Sequence, residues 1–247
     1  MKLNKIEPEF ISKSNPRIGL ITLGSDFRIE KDFNSIVYGR DIDLYVNRIH
    51  CYNPLTNETL AKMADDITEV TQDILPDQKI DCIAYGCTSG TVAAGYDTIK
   101  SKVNLAKPEA KVTTPITAAV KAINKLGIKK ISIFTPYTKT INDSVVKYFK
   151  DQNIIINSLT YFDIDSDLDI GKVDENYLFD VLSKIDLEDS DALFVSCTAL
   201  PVLSIIDKLE KKINKTVLSS NQTLIWDSLN QINYQKKIEG FGKLFNS

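Results

Sequence analysis

Histidine is nearly absent from this chain: His50 is the single one among 247 residues. That scarcity removes most routes to a zinc centre or to a histidine acid–base pair. Cysteine is sparse as well, at Cys51, Cys82, Cys87 and Cys197, with no CxxC pair. So few cysteines in so long a chain do not make a disulfide framework, and free thiols in a reducing cytoplasm are expected. Met1 to Phe10 lacks the apolar stretch of a secretory leader. No uninterrupted apolar run approaches the roughly 20 residues of a membrane span, so no membrane partner is expected. The net charge is −3, and there is neither an arginine-rich run nor a basic stripe interleaved with aromatics. Nucleic acid is therefore not an expected partner either. Low-complexity segments and long linkers are missing too.

What is present is an ordinary globular composition, 43% hydrophobic and 26% charged, in a chain long enough to bury a sizeable core. Residues 1–16 are polar and broken by proline, and are expected to form a loose arm. Arg17 to Leu23 reads as a buried strand ending at Gly24-Ser25-Asp26, where Asp26 can cap a helix over Ile29 to Val37. Ile42 to Ile49 alternates as a strand. Asn57 to Leu75 places Leu60, Met63, Ala64, Ile67, Val70 and Ile74 on one face of a single long helix. A strand ending at Gly86 leads into a helix over about Gly90 to Val103. After a short strand ending at Pro115, a helix through Ile123 closes at Gly127. Strands at Lys130 to Phe134, Ile154 to Leu159, Ala192 to Ser196 and Thr216 to Leu218 then alternate with helices at Ile141 to Phe149, Tyr177 to Ile185 and Val202 to Leu209. Ser219-Ser220-Asn221-Gln222 caps a last helix holding Trp226. The acidic run Asp163 to Asp169 reads as a solvated loop; it lacks the ligand order of a calcium-binding EF-hand.

Such alternation predicts an α/β fold of parallel sheets flanked by helices. Two stretches share one grammar: Ile80 to Thr91, holding Gly86-Cys87-Thr88-Ser89-Gly90, and Ala192 to Leu200, holding Ser196-Cys197-Thr198. Each is a strand, a small residue, a Cys-Thr pair and then a helix. The repeat predicts two pseudo-symmetric lobes, residues 1–115 and 116–219, with residues 220–247 packing back on the first and the active site in the cleft between them.

In open α/β sheets ligands bind beyond the carboxyl ends of the strands, where both Cys87 and Cys197 fall. A helix starting there presents free N–H groups that favour a thiolate or a bound carboxylate. Thr88, Ser89 and Gly90 form one such cradle, and Thr198 and Ala199 the other. Two facing thiols can transfer protons on opposite faces of a carbon acid, or one can attack an activated double bond while the other handles the proton. Cys82, Cys51 and His50 are read as structural.

These paired motifs resemble those of the aspartate/glutamate racemase superfamily, most closely its branch of maleate cis-trans isomerases, arylmalonate decarboxylases and EutA-like proteins. Arg17-Ile18-Gly19-Leu20-Ile21, Thr135-Pro136-Tyr137-Thr138 and Ser219-Ser220-Asn221-Gln222 with Trp226 agree, in the same order along the chain. The resemblance implies chemistry without metal or organic cofactor on a small carboxylic acid, Cys87 and Cys197 as catalytic residues, Tyr137 as a substrate-binding residue, and a homodimer. Two cysteines disfavour the decarboxylase, whose pattern resembles a thiol on the second motif only. They favour maleate-type cis-trans isomerisation, in which Cys87 adds to the alkene and Cys197 handles the proton.

Two positions depart from the isomerase pattern. Asp26 stands where the isomerases resemble one another in an asparagine, and Asp167 falls near a second such place. Both are expected to face substrate, and both would repel a dicarboxylate unless protonated or paired. The Leu23-Gly24-Ser25-Asp26 form resembles the EutA-like branch. Racemisation or epimerisation of an amino-acid-like carboxylate is thus the alternative, followed by carboxylate binding without turnover.

Overall fold

The structure, a computed structural model, describes residue 1, residues 3–11 and residues 13–247. The first half runs β1 (Arg17–Leu23), α1 (Ile29–Val37), β2 (Asp43–Ile49), α2 (Asn57–Lys62), α3 (Ile67–Gln72), β3 (Cys82–Gly86), α4 (Thr88–Ala94), α5 (Tyr96–Ala106) and β4 (Lys111–Thr113). The second half runs α6 (Pro115–Lys125), β5 (Lys130–Thr135), α7 (Lys139–Asp151), β6 (Ile155–Tyr161), α8 (Asp167–Gly171), α9 (Glu175–Leu182), β7 (Ala192–Val195), α10 (Ile206–Ile213), β8 (Thr216–Ser219) and α11 (Ser220–Gln231).

Among the described residues these strands form two four-stranded sheets, ordered β2-β1-β3-β4 and β6-β5-β7-β8. Every pairing is parallel. The two orders are one topology used twice, so β3 corresponds to β7, and Cys87 to Cys197. The central strands are buried along almost their whole length because helices cover both faces: six of seven positions in β1 and all of β3 and β7 are buried. α1 buries Ile29, Phe33, Ile36 and Val37, the three-four spacing of a single apolar stripe.

Two long helices expected from the sequence are interrupted. Asn57 to Leu75 is α2, a 3₁₀ turn over Met63–Asp66, and α3; the backbone stays in the helical region while the hydrogen bonds tighten. The helix after Cys87 begins at Thr88 and stops at Gly95, whose φ of 84° turns the chain before α5. The acidic run is not wholly a solvated loop, because Asp167 opens α8 and is buried. Among the described residues no helix is long and apolar enough to cross a membrane.

α11 leaves β8 and packs on β3, β4 and α1 as well as on α6, so the end of the chain reaches the first sheet. The halves are tied at the carboxyl ends of their strands. Leu55 N–H donates to the Asp165 carbonyl at 2.8 Å, and the Arg28 guanidinium donates to the Gly171 carbonyl through Nε and Nη2.

Candidate active site

In each sheet the strand order reverses between the two central strands, and this switch point opens a crevice beyond their carboxyl ends. Register fixes what meets there. Thr22 pairs with Gly86, which sets the turn after β1, with Ser25 and Asp26, beside Cys87 after β3. Phe134 pairs with Val195, which sets Tyr137 after β5 beside Cys197 after β7. Hydrogen bonds from Thr88 to Ser220 and from Thr198 to the Gly86 carbonyl bring these two strand ends together.

Cys87 caps α4 in extended conformation, and its sulfur accepts the Gly90 N–H at 3.2 Å. A Cβ on Gly90 would lie 2.8 Å from that sulfur and 3.0 Å from the Tyr85 hydroxyl, so only glycine leaves room for the thiol. Ser89 Oγ is 4.0 Å from the Cys87 sulfur. Cys197 differs. Both cysteines were expected where a helix begins, but the chain after Cys197 bends through Leu200 and Pro201, and α10 starts only at Ile206. Proline lacks the N–H an early continuing helix would use. Cys197 instead has φ of 94°, a left-handed conformation that strains a residue with a Cβ and is stored where function over-determines it.

The cap that Cys197 lacks in its own segment comes from α11. Ser220 Oγ accepts the Cys197 N–H at 3.0 Å and the Thr88 hydroxyl at 2.8 Å, linking the two cysteine motifs. The Ala199 N–H and the Tyr137 hydroxyl donate towards the Cys197 sulfur. The Thr198 hydroxyl crosses to the Gly86 carbonyl at 3.3 Å, and its side chain lies beside the Asp26 carboxyl. Asp167 Oδ2 accepts the Ser25 hydroxyl at 2.5 Å. The sequence candidates Asp26, Thr88, Ser89, Tyr137, Asp167, Thr198 and Ala199 are thus gathered with both cysteines in one buried cluster.

Burial dominates the electrostatics. Desolvation pushes the Cys87 and Cys197 thiols well above their ordinary value, outweighing the N–H donors that pull them down. Both therefore rest as neutral thiols, whereas a helix terminus alone would favour a thiolate. Burial also raises Asp26, and it raises Asp167 to about 6 against the Ser25 hydrogen bond. Asp32 is pushed up to about 7, chiefly by desolvation, against the Asn221 amide, which donates to Asp32 Oδ2 at 2.7 Å.

A carboxyl raised in the folded state binds its proton more tightly there than in the unfolded chain. The stability it contributes is present at low pH and is lost as pH climbs from about 4 towards 7. Asp32→Asn removes that loss and keeps an acceptor for Asn221. It is expected to stabilise the chain at pH 8 by about 2 kcal/mol, half the full shift because the side chain is partly exposed, and to change little at pH 4. Thermal unfolding at both pH values checks this; an equal effect at the two would refute it.

Several residues of the cluster escaped sequence reasoning. Ser220 and Asn221 read as helix caps and as part of the ending that carries the family resemblance, with no role at the cysteines. Ser25 read only as a turn residue, and Asp32 fell inside the first helix with no role assigned. Cys51, read as structural, lies beside Ser25 and within the field of Cys87, and burial raises its thiol to about 11. Cys82 is buried as the first residue of β3, and His50 is exposed with its ring edge-on to Tyr52.

Fold and site define a two-lobed parallel α/β protein with one thiol at each switch point. The sequence profile of the arylmalonate decarboxylase family matches residues 46–245, and the chain belongs to that family. A maleate isomerase from Geobacillus stearothermophilus is 25% identical over 246 residues, covering 93% of this chain and 97% of that one. The crystal structure of the maleate isomerase Iso from Pseudomonas putida S16 has a TM-score of 0.85 at 22% identity, covering 94% of this chain and 98% of that one. A cysteine-to-serine mutant of the Nocardia farcinica maleate cis-trans isomerase, with a covalently bound succinylcysteine intermediate, has a TM-score of 0.86 at 19% identity, covering 94% and 98%. These structural likenesses establish the fold.

Proposed function

We propose that this protein is a cofactor-independent cis-trans isomerase of a small, maleate-type unsaturated acid, working through Cys87 and Cys197. The observation that carries the reading is the pair of buried thiols at equivalent strand ends, bridged through Thr88, Ser220 and the Cys197 N–H. The similarity to maleate isomerases along nearly the whole chain supports it.

The Cys87 sulfur, once deprotonated, forms a bond to one alkene carbon, and the π pair moves onto the neighbouring carbon, conjugated with its carboxyl group. The former double bond is now single and rotates. Cys197 gives its proton to the carbanion and takes up the one that Cys87 released; in the elimination it recovers the proton from that carbon and returns one to the departing Cys87 sulfur, so both thiols are restored. Elimination of Cys87 re-forms the double bond in the trans arrangement, with no atom gained or lost. Tyr137, Thr88, Ser89, Thr198 and Ala199 would hold the substrate's polar ends, and Tyr137 would also steady the Cys197 sulfur.

The same reading divides the chain into lobes of residues 1–115 and 116–219, with 220–247 on the first. The packing of α11 on β3, β4 and α1 supports that division. A homodimer and a reducing cytoplasm complete it, the first from the family resemblance and the second from four unpaired thiols.

Proton NMR of maleate in deuterium oxide tests the reading: fumarate is expected to appear with enzyme and not without it. Silence on maleate and its analogues, with deuterium entering the α-position of an amino acid, would replace isomerisation by racemisation.

A further inference from the structure

The cleft holds carboxyl groups that the thiol chemistry leaves unused. Asp26 and Asp167 are 1% and 3% exposed. Asp26 Oδ1 accepts the Arg28 and Ile29 N–H groups at 2.7 and 3.0 Å, which caps α1. Its other oxygen, Oδ2, is buried with no hydrogen-bond partner. The Thr198 hydroxyl donates to the Gly86 carbonyl at 3.3 Å and is also near enough to the Asp26 carboxyl to lower it. Asp167 is held by the Ser25 hydroxyl, and Asp32, half-buried next to Asn221, adds a third carboxyl within reach of Asp26.

No cation touches them: among the described residues, no ion pair involves Asp26, Asp32 or Asp167, and the Arg48 and Arg28 charges act on Asp26 and Asp32 only from a distance. The nearby arginines are engaged elsewhere. Arg28 donates to the Gly171 carbonyl, and Arg48 to the carbonyls of Leu23 and Asp26 and to Glu30. An orphaned buried acceptor costs roughly 1–3 kcal/mol, which a ligand N–H would recover. A second substrate carboxylate would instead meet like charge where little water screens it. Asp167 is raised to about 6, less far than Asp32, and its Oδ2 accepts the Ser25 hydroxyl, the arrangement of a carboxylate acceptor.

We infer that Asp26 and Asp167 select a monoanionic substrate: a small cis-unsaturated carboxylic acid whose far end carries N–H donors, as an amide or an ammonium, in place of a second carboxylate. This rests on the isomerase reading and names its substrate class. The addition, rotation and elimination are unchanged, because one carboxyl group suffices to activate the double bond. The N–H end donates to Asp26 Oδ2 and Asp167, which fixes which carbon faces Cys87.

Three probes separate the sources of the donor: maleate, its monoamide maleamate, and cis-4-aminobut-2-enoate. The kcat/KM of each is measured by NMR at pH 7.5 for the wild-type chain, Asp26→Asn and Asp167→Asn, with circular dichroism to confirm folding. Asparagine keeps the α1-capping oxygen at position 26, and either variant alone suffices. At least one N–H-terminated acid is expected to exceed maleate by about tenfold or more, and the variants to cut that ratio by a similar factor. Maleate turned over as well as or better than both others would overturn the inference and leave the isomerase reading standing; a proton on Asp26 would then be donating to the second carboxylate. A ratio unmoved by either variant overturns it as well. Turnover of none of the three overturns the isomerase reading and this inference with it.

Discussion

Replacing Cys87 or Cys197 by alanine is expected to lower turnover by at least about 10³-fold, since each removes a covalent or proton-transfer role that the reaction needs at that position. His50, the one histidine, is exposed on the loop after β2, and the nearest hydroxyls belong to residues that hold the thiols. The two losses are expected to differ in kind. With Cys197→Ser the nucleophile survives, so incubation with the turned-over substrate should leave an adduct on Cys87 that adds the mass of one substrate molecule. With Cys87→Ser no adduct should form on Cys197. Peptide mass mapping reads both. An adduct on Cys197 in place of Cys87 would reverse the assigned roles. Full activity in either variant would end the two-thiol mechanism. Both side chains are nearly isosteric with serine, so unfolding temperature should move little and loss of fold cannot pass for loss of chemistry.

Ser220→Ala carries the second large effect. Its oxygen accepts from Thr88 in one half and from the Cys197 backbone in the other. Its removal strands two buried donors, which is expected to cost about 2 kcal/mol of stability. It also frees Cys197 from the contact that holds a φ of 94°. A misplacement of about 1 Å between reacting groups can cost about 10²-fold, so kcat is expected to fall by that order while KM changes less. Thermal unfolding and steady-state kinetics check the two parts separately. A fall in stability with kcat intact would make Ser220 a fastening of the lobes with no bearing on the relative placement of the thiols. A large rise in KM alone would mean that it contacts substrate.

Both predictions depend on how the second half departs from the first. The paired Cys-Thr grammar suggested two equivalent helix N-termini. Only Cys87 sits on one, where Gly90 leaves room for its sulfur. After Cys197 the proline at 201 ends that possibility, and α11 supplies the acceptor from 23 residues further along the chain. A periodicity cannot express such a substitution, because it is made between elements distant in sequence.

Strand positions, parallel pairing and the placement of both cysteines at strand ends were legible in the chain itself. They follow from local rules: apolar runs between turn residues make buried strands, and alternation with amphipathic helices forces parallel sheets. Asp26 and Asp167 could be flagged as acids at unexpected places, but not as neighbours. Only the tertiary structure decided that Asp26 uses one oxygen to cap α1 and leaves the other unpartnered, that Asp167 leaves its acidic run to meet Ser25, and that both thiols are pushed towards neutrality by burial. Local sequence sets backbone preference within a few residues; solvent exclusion, hydrogen-bond partnership and charge depend on what the other half of the chain brings into the cleft.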